Sequence, residues 1–547
     1  MGLRCIYLVP DNLKLTIMPI TRFASALILI FSACVSSKAQ NIIVNESNYT
    51  SVKIRIPEKD ALINPMIYGQ MLEDCNDNVI YGGIVDKEGK ENQAVTEFLR
   101  PLSIPVMRWP GGTAIYDYEW EKGIGESREA TRETIWNGTE YYTFGTDEFI
   151  SWCHKLEIEP YINIPMGNNN TYRHSLGNAL NWIEYVNGSA ETSYGALRAK
   201  NGHAEPYNVK FWCIGNENYL ANCFHRSESA DEYSAQLAVW CRAIKNLYPE
   251  TQLLAVGHFK EWNATVLQDC SEWIDYLTLH YYFNSKIDGE ELLDPQTTLF
   301  SAALVEANLK ENIAVLEEGN RLYSRTGNPI RFSIDEWNNR HAVKTEDYFA
   351  FTRKDARRQY DVCAAASMLN VFLRNSPYVA MANYIFPVNG HGLIKTVGNE
   401  SAYRSSLYYV FDLYRKYLSG SVATADVTGP GYKNVRLGDY AYVEGDIADE
   451  TKSIVQDLCF VDAAASIDDG VISVALVNRS YDKEQTVRLD LPEGYNVFEI
   501  WSVESEKVTA SNNEEKPDMI TSRVIKSKKT TVTVSPCGLS IVRCKRY

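Results

Sequence analysis

Residues 209–219, VKFWCIGNENY, combine a buried-strand pattern with a polar, acidic end. The run that opens this stretch is mostly apolar, which predicts a strand covered on both faces, as in a parallel sheet. The run stops at Gly215 and is followed directly by an amide, Asn216, and a carboxylate, Glu217. Because parallel α/β folds carry their active sites at the carboxyl ends of strands, this pair is a candidate functional site.

Other short apolar runs of the same form lie between residues 62 and 415, with helical patterns between them. They read PMIYGQMLE, IPVMRWPGG, EPYINIPMG, QLLAVGH, IDYLTLHYYF, IRFSIDEWN and VAMANYIFPVNG. A capping box of Ser229 and Glu232, followed by an apolar stripe, marks one of the helices. Eight β–α units predict an α/β fold, a (β/α)8 TIM barrel. A doubly wound open sheet is the alternative, although no glycine-rich phosphate loop follows the first strand.

The periodicity changes after residue 416. GVISVALVNRS, QTVRLDLPEG, YNVFEIWSV and TTVTVSPCGLSIVRC alternate apolar and polar residues with period two. This alternation predicts a C-terminal antiparallel β-sandwich domain over residues 416–547. Residues 40–61 contain SVKIRIPEKD, which has the same period, so we expect this piece to add strands to the sandwich. We expect residues 62–415 to form the barrel that carries the candidate functional site.

The composition excludes some partners and favours another. The chain has 547 residues and a net charge of −16, which opposes binding to nucleic acid and to anionic membranes. Its 35 Tyr and 11 Trp indicate either a large core or stacking surfaces for an oligo- or polysaccharide. The 12 Cys are scattered without a C-x-x-C pair, so no metal site is predicted, and no ligand cluster requires an organic cofactor.

The N-terminal region has the pattern of a targeting segment. MPITRFASALILIFSACVSSKAQ places an arginine before a short apolar run and small residues. This predicts a signal peptide over residues 1–39, cleavage near Ala39, and export to the periplasm or the outside. Lipoprotein anchoring at Cys34 is the alternative. The apolar run is too short to span a bilayer, so no membrane insertion is expected, while homo-oligomer formation stays open.

Glu217 lies at the end of the fourth predicted strand and Glu336 at the end of the seventh. Glycoside hydrolysis requires such a pair, because one carboxyl group protonates the leaving oxygen while the other attacks the anomeric carbon or activates water. A lone glutamate at a strand end is more often a helix-cap or salt-bridge partner. The hypothesis therefore depends on the pair, together with Arg108 and His280 on other strands.

The chain resembles glycoside hydrolase family 51, whose best-known members are α-L-arabinofuranosidases. The matching stretches are IYGQMLE with IYGGI, RWPGG with WEKGIG, WCIGNEN, LTLHYY and SIDEWN. They occur in the order of the family and cover nearly all of the predicted barrel. The resemblance implies the same barrel-plus-sandwich fold.

The resemblance also implies roles for individual residues. Glu217 would be the general acid/base and Glu336 the nucleophile of a retaining double displacement, with their carboxyl groups about 5–5.5 Å apart. Asn216 would bind the hydroxyl next to the anomeric carbon, and Arg108 would orient Glu336. The substrate-binding set implied in this way is Glu73, Arg108, Thr113, Trp136, Asn216, His280 and Tyr282.

Three departures from the family pattern leave the sugar open. Thr113 stands where the family usually has Asn, residues 74–76 read DCN instead of HLG, and residues 386–387 read FP near a usual Gln. The leading hypothesis is an exo-acting α-L-arabinofuranosidase that removes furanosyl side chains from plant-type polysaccharides. The alternatives are an endo-β-1,4-glucanase, xylanase or other furanosidase of the same family, and a non-catalytic carbohydrate-binding protein.

Overall fold

In the computed structural model, eight parallel strands close into a barrel. Each strand pairs with the next in the chain, and the last pairs with the first. The strands, β1–β8, are Gly69–Met71, Val106–Trp109, Glu159–Ile164, Phe211–Ile214, Gln252–Ala255, Tyr276–Asp288, Arg331–Lys344 and Val379–Tyr384. The closed parallel barrel confirms the predicted fold class and rules out the open sheet.

The structure describes residues 42–43, 48–75, 77–169, 171–346, 348–436, 443–445 and 455–546. The predicted signal peptide, residues 1–39, and the alternative anchor Cys34 lie outside the described residues, as does Asn76.

At least one helix follows every barrel strand. Helices α1–α9 are Gln93–Leu102, Thr146–Lys155, Leu176–Asn187, Ser193–Lys200, Ala230–Leu247, Lys260–Cys270, Pro295–Leu322, Gln359–Arg374 and Ser406–Tyr417. The capping box is confirmed, since Ser229 and Glu232 cap the start of α5. Within the described ranges, no helix has the length and apolarity needed to cross a membrane.

The C-terminal region forms a mostly antiparallel sheet domain, as predicted. In spatial order its nine strands are Ser522–Lys526, Tyr495–Val503, Leu539–Arg546, Val471–Asn478, Val461–Asp468, Ser421–Thr428, Thr50–Arg55, Gln485–Asp490 and Thr531–Val534. The strand Thr50–Arg55 comes from before the barrel and pairs with Ser421–Thr428 and Gln485–Asp490. Its alternate residues Val52 and Ile54 are buried in the core of this domain, which accounts for the period of two.

Smaller elements surround these two domains. A three-stranded sheet contains Ile42–Ile43, Gly431–Arg436 and Val455–Cys459, and two hairpins pair Thr131–Arg132 with Thr139–Glu140 and Ile394–Val397 with Ser401–Arg404. Short strands Glu291–Leu292, Phe349–Thr352 and Val443–Gly445 pair with β6 or β7. The 3-10 helices are Pro65–Tyr68, Thr113–Tyr116, Trp120–Gly123 and Tyr172–His174.

Strands β6 and β7 are longer than their apolar runs predict. They have 13 and 14 residues and stay paired from Tyr276 and Arg331 to Ile287 and Val343. Their register shifts between Leu279 and His280. Bulges of this kind re-aim side chains beside active sites, and here the shift precedes His280 directly.

Helix α8 joins the barrel to the C-terminal sheet through charge. The Arg374 guanidinium lies 2.8 Å from Glu306 of α7 and 2.9 Å from Asp462 of the sheet. Although burial alone would raise the pKa values of both carboxyl groups, the Arg374 charge holds each below its usual range. The arginine therefore bridges two partly desolvated carboxylates across the domain boundary.

We expect Arg374→Ala to lower the free energy of unfolding by about 2–3 kcal/mol, because it leaves two shielded carboxylates without their shared counter-charge. The midpoint of urea unfolding measures this loss. Arg321→Ala is the matched control, since Arg321 pairs with Glu318 while both side chains are more than half exposed. The control should change stability by less than about 1 kcal/mol, and equal losses for both variants would contradict the assignment.

Candidate active site

The end of β4 has the backbone geometry that the GNE stretch requires. Gly215 has φ of 92°, and a Cβ there would lie 2.2 Å from the side-chain oxygen of Asn218. Glu217 also has a positive φ, 47°. Such conformations are strained for residues other than glycine and concentrate at functional sites. The strand therefore ends in a sharp turn that presents Glu217 at the barrel mouth.

Arg108 of β2 connects the two strands that carry the glutamates. One guanidinium nitrogen donates to Glu336 Oε1 at 2.6 Å, and the other donates to Asn216 Oδ1 at 2.7 Å. Arg108 Nε lies 3.4 Å from Asp335. Burial alone would raise the pKa of Glu336, but the charges of His280 and Arg108 outweigh it and hold that pKa below its usual range. Glu336 is thus kept ionised inside the barrel.

The RWPGG turn after β2 brings its backbone against Glu336 and Glu73. A Cβ on Gly112 would lie 2.4 Å from Glu336 Oε1, so a larger residue would displace that carboxylate. The backbone N–H groups of Gly112 and Ala114 donate to Glu73 Oε1 at 3.1 and 3.0 Å. Burial and the charge of Glu336 nevertheless raise the pKa of Glu73 to about 7. Glu73 can therefore present either an acceptor or a donor to a ligand.

His280 and Tyr282 of β6 both face the pair. His280 Nδ1 lies 2.9 Å from Glu217 Oε1 and 3.7 Å from Glu336 Oε2. Burial acts to lower the His280 pKa, but the two neighbouring glutamates raise it above its usual value. The Tyr282 hydroxyl donates to Glu336 Oε2 at 2.5 Å. Both oxygens of Glu336 are therefore bound, one by Arg108 and one by Tyr282.

One oxygen of Glu217, one oxygen of Glu336 and one nitrogen of His280 all lie within 4.8 Å of one another. A divalent cation could in principle bridge such a trio. However, Arg108 and Tyr282 already bind the Glu336 oxygens, and His280 already binds Glu217. The arrangement therefore favours proton transfer and nucleophilic attack between two carboxyl groups.

Several supporting residues lie outside the predicted set. The Tyr161 hydroxyl donates to Asp335 at 2.5 Å, which fixes the carboxylate below Arg108. The Tyr116 hydroxyl donates to the Asn216 carbonyl at 2.9 Å and receives the Asn216 N–H at 3.1 Å. Asp335 could have been found from its place directly before Glu336. The two tyrosines carry no such signal, because the sequence does not distinguish a tyrosine whose hydroxyl binds the site from the other aromatic residues of the core.

The remaining predicted positions lie around the mouth. Thr113 is half-buried and opens the 3-10 helix Thr113–Tyr116. Trp136 is half-buried in the hairpin loop between Thr131–Arg132 and Thr139–Glu140. The guanidinium of Arg353, a residue that sequence reasoning missed, lies 4.3 Å from the centre of the Trp136 ring. At the end of β8, Phe386 occupies a buried position.

Comparisons with known proteins show which family the chain resembles. Residues 98–298 match the family profile described as "Alpha-L-arabinofuranosidase 1 domain", and residues 335–538 match "Alpha-L-arabinofuranosidase C-terminal domain". A protein of Aspergillus clavatus named "Probable alpha-L-arabinofuranosidase C" is 30% identical over 495 residues, which cover 86% of this chain and 92% of the relative. A Streptomyces lividans protein named "Intracellular exo-alpha-(1->5)-L-arabinofuranosidase" is 30% identical over 69% of this chain and 59% of its own length.

A solved structure shares the fold over nearly its whole length. The α-L-arabinofuranosidase of Thermotoga maritima, in complex with arabinose, superposes with a TM-score of 0.77 and 27% identity, covering 91% of this chain and 99% of that one. The sequence resemblance is thus confirmed by profile, by relatives and by structure. The chain belongs to the α-L-arabinofuranosidase family of glycoside hydrolases, GH51, and is a glycoside hydrolase that acts on O-glycosyl bonds.

Proposed function

We propose that the protein is a retaining, exo-acting α-L-arabinofuranosidase that removes furanosyl side chains from plant-type polysaccharides. The observation that carries the proposal is the carboxyl pair, with one oxygen of Glu217 and one of Glu336 within 4.8 Å of each other. This spacing matches the short separation of retaining glycosidases and leaves too little room for the water of an inverting one. It also disfavours a non-catalytic binding protein.

In the first step, Glu336 attacks the anomeric carbon while Glu217 donates its proton to the leaving oxygen. The bond from the sugar to the leaving group breaks as the bond to Glu336 forms. Arg108 and Tyr282 hold the two Glu336 oxygens and so fix the direction of attack. Since Glu336 is ionised and already oriented, the surrounding groups need little rearrangement to reach the transition state.

In the second step, water enters from the side that the leaving group has vacated. Glu217, now a carboxylate, takes a proton from this water while the water oxygen bonds to the anomeric carbon and the ester bond to Glu336 breaks. His280 Nδ1 is within hydrogen-bonding distance of Glu217, so its charge can offset the carboxylate during this exchange. Two inversions at one carbon give net retention.

The walls of the site offer groups for the sugar hydroxyls. Among the described residues, no group accepts a hydrogen bond from the buried Asn216 Nδ2, although Asn216 Oδ1 is bound by Arg108. Because an unsatisfied buried donor is unfavourable, a hydroxyl next to the anomeric carbon is a suitable partner. Glu73 offers its carboxyl group from the other side of the mouth.

The difference in exposure between the two glutamates supports exo action. The Glu217 side chain is 21% exposed and the Glu336 side chain 8%. The leaving group, which Glu217 protonates, therefore lies toward solvent, while the sugar lies in the closed part of the site. The printed name of the Streptomyces lividans relative is also that of an exo-acting enzyme. Export after cleavage near Ala39 remains part of the proposal and rests on the N-terminal sequence pattern.

We expect Glu336→Gln to lower kcat on an aryl α-L-arabinofuranoside by at least about 10⁴-fold, because no nucleophile remains. Steady-state hydrolysis measures this loss. Glu228→Gln is the matched control: Glu228 follows β4, the strand that ends in Glu217, and is also buried, but it accepts from Asn218. Near-normal turnover of Glu336→Gln, or an equal loss in the control, would contradict the assignment.

Retention predicts the first product directly. During hydrolysis of an α-L-arabinofuranoside by the wild-type protein, proton NMR should show α-arabinofuranose before mutarotation. Initial appearance of the β anomer would exclude the double displacement. In the Glu336→Gly variant, added azide should restore turnover and give the β-configured glycosyl azide, because azide occupies the vacated side of the sugar.

The acid limb of activity should respond to Tyr282. Activity requires ionised Glu336, so it falls as the pH drops through the lowered pKa of that group. Tyr282→Phe removes a hydrogen bond to the ionised form, so the Glu336 pKa rises and the acid limb of kcat/KM moves to higher pH, by roughly one unit or less. The Tyr281→Phe control should leave the limb in place, because Tyr281 donates to Asn308 instead. Coincident limbs in all three proteins would contradict this role.

A further inference from the structure

Arg353 joins three loops at the barrel mouth. It follows β7, lies 2.9 Å from Asp77 of the loop after β1, and stacks 4.3 Å from the Trp136 ring of the loop after β2. It also lies 5.5 Å from the Phe351 ring of its own loop. Its side chain is only 17% exposed. This arginine therefore forms a wall across the β1 side of the mouth.

The loop that carries Arg353 is anchored to the strand of the nucleophile. Asp355, two residues further on, accepts from His341 of β7 at 2.7 Å and from Arg358 at 2.6 Å. These partly buried contacts tie the loop that carries Arg353 to β7. The strand that carries Glu336 therefore also positions Arg353.

A polar cavity of about 400 Å³ lies next to this wall. Asp77 and Trp136 contact Arg353, and the residue after each of them lines the cavity. Asp74, which follows Glu73, lines the cavity as well. The lining includes Asp74, Asn78, Asn137, Asn399, Tyr81 and Tyr141. The cavity therefore lies beside the loops that carry Glu73, Asp77 and Trp136.

The cavity has the chemistry of a site for a neutral sugar. Its amide and carboxylate groups can bind hydroxyls, and its volume falls within the range of small-molecule sites. Tyr81 and Tyr141 form an edge-to-face pair with ring centres 5.0 Å apart at its side. Aromatic rings of this kind provide apolar surface for the C–H face of a sugar.

The cavity is lined by residues of the loops after β1, β2 and β8, and none of these strands is a neighbour of β4 in the barrel. The leaving group departs beside Glu217 of β4, whereas Glu73 and the wall belong to loops after β1, β2 and β7. A sugar bound between Glu217 and Glu336 thus has its far end toward Arg353. A chain extended beyond that end would have to enter the cavity.

We propose that Arg353 is a specificity-determining plug: with Trp136 and Asp77 it closes the glycone site after one furanose and separates it from a cavity that can hold a second sugar. The proposal rests on the proposed function and gives a physical basis for its exo action. Removing the plug should admit an arabinofuranose that carries a further arabinofuranosyl group at its far end, at O5.

The test compares two aryl substrates, an α-L-arabinofuranoside and the corresponding α-1,5-arabinobioside, cleaved at the aryl bond. Release of the phenol together with the intact disaccharide, resolved by chromatography, defines internal binding. In Arg353→Ala, the ratio of kcat/KM for this reaction to kcat/KM for the monosaccharide should rise at least about tenfold over wild type. Asp77→Asn, which weakens the hold on the arginine, should raise it by a smaller factor.

Arg543→Ala is the matched control. Arg543 lies in the C-terminal sheet, 2.6 Å from Glu499 and 4.5 Å from the Tyr417 ring, so it repeats the ion pair and stacking of Arg353 far from the mouth. Its ratio should equal that of wild type. Arg353→Lys keeps the charge without the planar stack, and it provides a folded variant should Arg353→Ala not fold. In Arg353→Lys the ratio should lie between the values of wild type and Arg353→Ala.

An unchanged ratio in folded Arg353 variants, or equal losses on both substrates, would overturn the plug. Equal losses are what a merely structural role predicts. The proposed function fails separately, through absence of wild-type activity on the unextended aryl α-L-arabinofuranoside. A rise in the ratio that also occurs in Arg543→Ala would likewise overturn the plug.

Discussion

The Arg108 guanidinium is the interaction on which the rest of the site depends. It lies at the centre of a buried set of polar groups and contacts Glu336, Asn216 and Asp335 within 3.4 Å. Burial alone would lower its pKa, yet the carboxylates of Asp335 and Glu336 raise it well above its usual value. An arginine is suited to this place because its planar fork can serve several acceptors at once. Loss of the arginine would remove the positive charge that Asp335 and Glu336 share.

The surrounding fold is arranged so that this buried charge is tolerated. Beneath the mouth the barrel is filled by side chains from six strands, namely Val106, Tyr161, Phe211, Cys213, Leu254, Tyr276, Ala380 and Met381. This packing excludes water from below and strengthens the electrostatic contacts above it. Tyr161 belongs to both layers, since its ring packs in the core while its hydroxyl binds Asp335. The core therefore stabilises the barrel and also provides the apolar layer beneath Glu336.

The sequence alone predicts the parts of this architecture that depend on local pattern. Continuous apolar runs located the barrel strands, because burial on both faces leaves no polar alternation, and the period of two located the C-terminal sheet. The lengths of β6 and β7 were not predictable in this way. Their outer halves contain consecutive polar residues such as Asn284, Ser285 and Lys286, and they remain strands because each pairs with the other. Tyr116 and Arg353 were missed for a related reason, since their partners lie far away in the chain and no local pattern records them.

The pairing of β6 and β7 also connects the catalytic carboxyl pair to Arg353, the proposed plug that limits the length of the substrate. The shift before His280 sets the histidine against both glutamates, and further along the same pair Arg340 lies 4.6 Å from the Tyr282 ring and 5.2 Å from the Phe351 ring. His341, one residue beyond, holds the loop of Arg353. The paired strands β6 and β7 thus orient Glu336 at the barrel mouth, and their outer ends position Arg353. A change in these strands would alter both, whereas a change at Arg353 alone can open the wall and leave the carboxyl pair in place.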